Sequence, residues 1–370
     1  MPVYALFGRR HSGWNMQDDA TGMSEVIVER RGAAGVIRLN RPRALNSLTT
    51  AMVREMAGAL ERFAADPGIA SVVVLGEGDR GLCAGGDIRV LHESGRAGTG
   101  EAETFWREEF HLDHAISGYP KPYVVFMDGI TMGGGVGISA HGSHRIVTER
   151  TRLAMPETGI GYFPDIGATW LLPRARGETG TWMGLTGLDI NAADALHAGL
   201  ADYCVSASTF PEILKAIGEL PATASPRQVN AAITAFAAVP GESALAAHAE
   251  LIDRAFRFDS VEEILAALAR EKGDFAARTR ATIESRSPTS LKLTLRLLRA
   301  GRESRSLAEC LERELGACMQ ILHNPDFFEG VRAAVIDKDR NPKWVPARIE
   351  DVSDAMIERF FRKPEPPLFP

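Results

Sequence analysis

Apolar positions in the first half of the chain follow two alternating rhythms. Glu25 to Arg30 and Val36 to Asn40 predict two short strands, joined by a turn at Arg31-Gly32-Ala33-Ala34. Thr49 or Thr50 is placed to cap a helix whose apolar residues Met52, Val53, Met56, Leu60 and Phe63 recur at helical spacing, and Asp66-Pro67-Gly68 stops it. Ser71 to Gly76 carries the unbroken run Val72-Val73-Val74-Leu75, as a strand covered on both faces requires. Residues 94–100 read as a loop and Glu101 to Ser117 as a helix, with Phe105, Trp106, Phe110 and Leu112 among charges. Tyr123 to Met127 is a second buried strand, and Arg152 to Met155 a short extended piece. Gly167 to Leu188 reads as helical; Asn191 caps Ala192 to Ala198, Ala201 to Val205 is a strand, and Phe210 to Ile217 a helix. Residues 227–320 are almost wholly helical, with breaks at Pro240-Gly241, Gly273 and Ser287-Pro288.

Pro221 to Pro226 is the best linker candidate. It divides the chain into a flexible extension (1–22), a strand-and-helix core (23–220), a helical region (221–350) and a proline-rich tail (351–370). Composition is that of a soluble globular protein, 45% hydrophobic and 24% charged. A net charge of -6 gives no basic face for nucleic acid. No apolar run reaches the roughly 18 residues of a membrane span. Cys83, Cys204, Cys310 and Cys318 lack any C-x-x-C spacing, which fits buried thiols in a reducing cytoplasm and no metal cluster. His141 and His144 lack a metal-ligand partner at useful spacing and read as structural.

The chemistry concentrates at two glycine-rich turns, each after a buried strand: Gly85-Gly86-Asp87 and Gly133-Gly134-Gly135. Without a Cβ, such backbone lets a ligand approach the amides. One N–H from each, Gly86 and Gly134, could form an oxyanion hole. Asp87 is placed to cap a short helix. Two carboxylates, Glu157 and Asp165, lie in Pro/Gly-punctuated apolar sequence, where an unpaired acid is costly. Their bland reading is as helix caps or loop acids. Glu108 and Glu109 both read as a solvated helix face, Glu108 more firmly. There is no G-x-S-x-G elbow and no phosphate-cradling G-x-x-x-x-G-K-[ST]. Gly135-x-Gly137-x-x-Ala140 with Glu157 downstream fits a loose dinucleotide fingerprint, but five residues separate the strand end Met127 from the first glycine.

Three stretches together, Leu39-Asn40-Arg41-Pro42 with Ala44-Leu45-Asn46, Cys83-Ala84-Gly85-Gly86-Asp87-Ile88 and the triple glycine, resemble the crotonase (enoyl-CoA hydratase/isomerase) superfamily over residues 25–210. The resemblance implies an α/β fold: a crotonase-like spiral of strand-strand-helix repeats with a helical C-terminal region. It also implies an acyl-CoA thioester substrate and oxyanion donors at Gly86 and Gly134. A narrower likeness, to the 3-hydroxyisobutyryl-CoA hydrolase branch, rests on three stretches: Ile130 to Gly137, Ala154-Met155-Pro156-Glu157-Thr158, and Gly161-Tyr162-Phe163-Pro164-Asp165. Asp326 to Ala333, Ile336 to Asp339 and Pro342-Lys343-Trp344 extend it to about residue 350. It implies that Glu109, Gly134, Glu157 and Asp165 contact substrate, beside Gly86 and Asp87.

Hydratases resembling this fold hold water between two glutamates. One matches Glu157; the other falls where this chain has Gly137. Syn addition of water to a double bond then lacks an acid/base partner. Thioester cleavage needs only an oxyanion hole, a carboxylate and a group that places the substrate. The expected roles are Glu157 as base or nucleophile, Asp165 orienting water or a 3-hydroxyl, and Glu109 as a polar wall of the acyl pocket. The expected activity is hydrolysis of a 3-hydroxyacyl-CoA in valine breakdown. No cofactor is implied, because CoA is part of the substrate; a homo-oligomer is left open. The alternatives are an enoyl-CoA hydratase/isomerase and a scaffold that binds acyl-CoA without turnover.

Overall fold

The computed structural model describes residues 24–369; the N-terminal extension expected over 1–22 lies outside them. Among the described residues, nine strands form two sheets. The larger has the order β1 (Val26–Arg31), β2 (Ala34–Leu39), β3 (Ser71–Gly76), β5 (Tyr123–Met127), β7 (His144–Thr148), β9 (Tyr203–Val205); the smaller has the order β4 (Gly81–Cys83), β6 (Ile130–Met132), β8 (Arg152–Ala154). Only β1 and β2 pair antiparallel; every other neighbour is parallel. Each turn of the spiral gives one strand to the large sheet and the next to the small one: β3 then β4, β5 then β6, β7 then β8. The continuous apolar runs of β3 and β5 follow from this, since helices cover both faces of the large sheet.

Helix α1 (Thr50–Ala65) is capped by Thr49, whose hydroxyl accepts from Met52 N at 3.1 Å. Helix α2 (Ile88–Ala97) takes up most of the loop expected at 94–100, because its polar Ser94 faces inward and accepts from Ala102 N at the start of the next helix. Helix α3 spans Glu101–Ser117, and α4, Gly134–Ala140, follows the triple glycine. The helix expected over Gly167 to Leu188 breaks into Ala168–Leu171, a 3-10 turn at Pro173, and Thr179–Thr186. Proline lacks the N–H that a helix interior needs.

The C-terminal helices lie against the spiral. Helices Pro288–Glu303, Leu307–Ile321 and Pro325–Val331 bury Leu293, Leu297, Leu311, Leu315 and Phe327 in the same core as α1 and α3. The segment expected as a tail folds back as well. It forms the short helix Asp354–Glu358, buries Phe360, and donates Leu368 N to Glu312 at 2.9 Å.

Candidate active site

The site grows from the two glycine turns. Residues Arg41 to Leu48 hold the first one. Asn46 is buried with φ 54; its Oδ1 accepts from Arg41 N, and its Nδ2 donates to the carbonyls of Glu77 and Gly81, both at 3.1 Å. Backbone bonds Ala84 N to Leu45 O, Leu48 N to Gly85 O and Asp87 N to Leu48 O then fix Gly85 and Gly86. The second turn starts at Gly133, whose φ of 49 and ψ of -124 suit glycine, and opens α4 through Val136 N to Gly133 O. Among the described residues, neither the Gly86 nor the Gly134 amide donates to a protein partner. The turns are adjacent: a Cβ added to Gly134 would lie 3.2 Å from Gly86 N, and one added to Gly85 would lie 3.5 Å from Gly134 N.

Carboxyl groups surround the two amides. The same imagined Cβ on Gly134 would collide with Glu109 Oε1, and one on Gly133 would lie 3.1 Å from Glu157 Oε1. Glu108 and Glu109 are neighbours on α3 with opposite fates. Glu108 forms a bidentate surface pair with Arg54, both bonds at 2.6 Å. Glu109 turns inward, is 2% exposed, and its Oε1 has no partner; the solvated-face reading holds for the first and fails for the second.

Glu157 starts a 3-10 turn, Glu157–Ile160, after β8. The C-terminal helices clamp this turn. Ser287 N donates to Thr158 O at 3.1 Å, Ser287 Oγ donates to Asp326 at 2.6 Å, and Gly161 packs directly on the Asp326 carbonyl. Asp165 accepts from Tyr162 Oη at 3.0 Å, and that hydroxyl also contacts Cys318 Sγ at 2.9 Å. Asp87 borders the Gly86 turn. Its side chain does not cap α2 as expected, because it pairs with Arg41 at 3.3 Å; it lines a cavity of about 600 Å³ beside Leu48 and Phe105, and the Phe105 ring flanks Gly86.

Electrostatics set the charge of this cluster. Burial, then the charges of Asp165 and Glu157, hold Glu109 well above the usual carboxylate range. Burial and Asp165 do the same for Glu157, whose Oε2 has no partner. Burial pushes Asp165 up to about 7 against the opposing Tyr162 hydrogen bond. Carboxyls this close cannot all ionise, so neutral acids surround whichever one carries the charge. Among the described residues, no set of three acidic, His or Cys side chains is arranged to hold a metal ion.

Three functional neighbours escaped the sequence reading. Asp113 lies one turn after Glu109 on α3; it is 0% exposed, and neither oxygen has a partner. A Cβ on Gly137 would lie 2.8 Å and 3.0 Å from those oxygens, so the space beside Gly137 is already filled. Glu314 and Cys318 sit one turn apart on helix Leu307–Ile321 and face the Asp165 turn. The available signal was an acid at a core position of an apolar helix face: Asp113 beside Leu112 and Phe110, and Glu314 beside Leu311 and Leu315. His141 accepts no ligand role here; its Nε2 bonds Ile166 O at 2.8 Å.

Known proteins match this arrangement. Residues 34–361 match the family model described as enoyl-CoA hydratase/isomerase. Two mitochondrial 3-hydroxyisobutyryl-CoA hydrolases are similar over most of their length. That of Gallus gallus is 40% identical over 346 residues, 92% of this chain and 89% of the relative; that of Homo sapiens is 39% identical over 355 residues, 94% and 91%. Among solved structures, a carnitinyl-CoA dehydratase from Mycobacterium thermoresistibile has a TM-score of 0.88 at 40% identity, covering 94% of this chain and 98% of that one. An enoyl-CoA hydratase from Rhodobacter sphaeroides has a TM-score of 0.85 at 38% identity, covering 93% and 99%. The family model matched over residues 34–361, and relatives about 40% identical over nine-tenths of the chain, thus place this chain in the enoyl-CoA hydratase/isomerase family.

Proposed function

We propose that this chain hydrolyses a short 3-hydroxyacyl-CoA, 3-hydroxyisobutyryl-CoA above all, to the 3-hydroxy acid and CoA in valine breakdown. The observation that carries the reading is the approach of Gly86 and Gly134 to each other, with Glu157 set against Gly133. A thioester oxygen between the two amides gains charge as its carbonyl carbon is attacked, and fixed donors stabilise that charge. Glu157 faces the same carbon and takes a proton from water, or attacks directly. The C–S bond then breaks and the thiolate takes the proton that Glu157 drew from water. On the direct route the thiolate leaves an acyl–Glu157 anhydride, which water cleaves to the acid, its second proton going to the thiolate. Asp165, held by Tyr162, orients the water or the 3-hydroxyl, and Glu109 forms the polar wall of the acyl pocket.

Hydration of an enoyl-CoA is the second reading, and one observation favours it: Asp113 brings a carboxyl to the side of Gly137 where a second acid would act. Exposure separates the two. Glu157 and Asp165 each keep 6% of their surface open, whereas Asp113 keeps none and cannot meet a substrate water. The hydrolase names of relatives matched over nine-tenths of this chain support the first reading. The cytoplasmic location we infer rests on four buried free cysteines, which suit a reducing compartment; the two vertebrate relatives are named as mitochondrial. Among the described residues, no helix is long and apolar enough to cross a membrane.

Thiol release followed with a disulfide reagent tests the proposal. Free CoA is expected from 3-hydroxyisobutyryl-CoA and, more slowly, from 3-hydroxypropionyl-CoA. Loss of enoyl absorbance from crotonyl-CoA, with both hydroxyacyl thioesters intact, would establish the hydratase instead.

A further inference from the structure

The chain just after Asp165 adopts a backbone that its residues do not favour. Ile166 has φ 55 and Gly167 has φ 77, two consecutive left-handed residues, the first β-branched. Such a turn persists only where its surroundings over-determine it. The surroundings here come from 147 residues further along. Glu314 is 0% exposed; its Oε2 accepts from Gly167 N at 2.7 Å, and its Oε1 accepts from Thr169 N at 3.0 Å and Thr169 Oγ1 at 2.5 Å. His141, the residue that ends α4, holds the Ile166 carbonyl through Nε2. One helical turn past Glu314, Cys318 touches the Tyr162 hydroxyl that donates to Asp165. A single face of helix Leu307–Ile321 therefore fixes both the main-chain turn and the hydrogen bond that aim the Asp165 carboxyl.

We propose that Glu314 is a positioning residue for catalysis: it acts through the Ile166–Gly167 turn to set the direction of Asp165. The inference rests on the role given to Asp165 under the proposed function. It assigns the C-terminal helices a part in turnover beyond packing, since Glu314 holds Gly167 N in the turn and both donors of Thr169 in the helix that the turn opens. Burial pushes Glu314 up to about 8 although three hydrogen bonds favour its charged form, and both states retain acceptors for the turn.

The test combines Glu314→Gln, Glu314→Ala and Asp165→Asn in the full chain, with the two double variants on Asp165→Asn, assayed for thioester hydrolysis. Glutamine leaves at least one turn donor without an acceptor and opens no cavity; alanine removes all three acceptors. Glu314→Ala is expected to lower kcat about tenfold to a hundredfold, the range a displaced catalytic group produces. Glu314→Gln should fall between it and wild type. KM should stay within about threefold, because Glu314 touches neither oxyanion amide. On the Asp165→Asn background both Glu314 variants should change kcat by less than about twofold, since a group acting only through Asp165 has nothing left to aim. A merely structural glutamate would lower kcat by the same factor on both backgrounds, and that result overturns the inference. So does wild-type kcat in both Glu314 single variants when Asp165→Asn is slow. If Asp165→Asn itself keeps wild-type kcat, the role of Asp165 fails first and this inference falls with it. Where Glu314→Ala does not fold, Glu314→Gln reads the same comparison.

Discussion

The spiral and the C-terminal helices contribute to one site in different ways. On the proposed function, the spiral supplies the reacting surface through local geometry: two glycine turns and a 3-10 turn, each within a few residues of a strand end. The helical half supplies clamps through distant contacts, Ser287 and Asp326 on the Glu157 turn and Glu314 on the Asp165 turn. Groups that touch the thioester need open space beside bare backbone. Groups that hold them need burial and partners. Changes in the spiral should therefore slow turnover more than they lower stability, and changes in the clamps should do the reverse unless the clamp aims a reacting group.

The largest expected effect is in the spiral. Glu157→Gln keeps the shape of the side chain but removes the base, and kcat should fall by at least about a hundredfold. Its Oε2 has no partner, so stability should change little or rise, because the substitution removes a buried group that resists ionisation. Steady-state thiol release with a parallel thermal melt checks both. Activity within a few-fold of wild type would remove Glu157 from the reaction. The wild-type profile adds a pH signature. Glu157 must lose its proton to act and is held well above the ordinary glutamate range of about 4.3, so kcat should decline on the acid side well before that value is reached.

Gly134→Ala follows. An added Cβ meets Glu109 and lies 3.2 Å from both Gly86 N and Leu48 Cδ1, so a methyl group enters the space where the carbonyl oxygen must sit. Displacing one oxyanion donor corresponds to about a hundredfold in kcat. Retained activity with a retained fold would show that the two amides do not serve one oxygen.

Asp326→Ala examines the other half. It strips the acceptor from Ser287 Oγ and from Val345 N, at 2.6 Å and 2.7 Å. Leaving the buried Ser287 hydroxyl unpartnered costs about 1–3 kcal/mol, whereas Val345 is exposed and its N–H can turn to water. The melting temperature should drop by several degrees, while kcat stays within about tenfold, because Ser287 N still binds Thr158 O. A catalytic loss matching that of Glu157→Gln without loss of stability would erase the contrast between the two halves.

That contrast also explains what the sequence reveals. Strands with continuous apolar runs and glycine turns are local patterns, so β3, β5, α1, α3 and both amide turns can be read from neighbouring residues. The Arg41-to-Asn46 motif is legible only as a resemblance, since the left-handed backbone at Leu45 and Asn46, φ 54 at each, does not follow from the residue types alone. Long-range contacts leave no such trace. Glu314 meets Gly167 across 147 positions, and only its place among Leu311 and Leu315 sets it apart from an ordinary helix acid. Glu109 and Glu108 differ by one residue in sequence but by a third of a helical circumference in space. The Gly134 turn packs against Glu109 while Arg54 of α1 holds Glu108 at the surface, and spacing within α3 shows neither.

Asp113 gives the smallest effect on turnover and the sharpest on stability. Burial, followed by the charges of Glu109, Asp165 and Glu314, holds it protonated well above the ordinary aspartate value of about 3.9. The unfolded chain releases this proton near that value, while the folded chain keeps it. Between the two pKa values the native state binds more protons than the unfolded state, so stability falls as pH rises. The contribution is complete below the ordinary aspartate range and is lost as pH climbs through the raised value. Asparagine has no proton to lose. Asp113→Asn should therefore show a melting temperature that declines less steeply than wild type as pH rises above the ordinary aspartate range. Its kcat should stay within about threefold, because the group is shut off from substrate. Parallel melting profiles would mean that Asp113 already shares a charge-stabilising partner when folded. A loss of kcat comparable to that of Glu157→Gln would make Asp113 the second acid of a hydratase, and the contrast between an open base and a sealed acid would then have to be withdrawn.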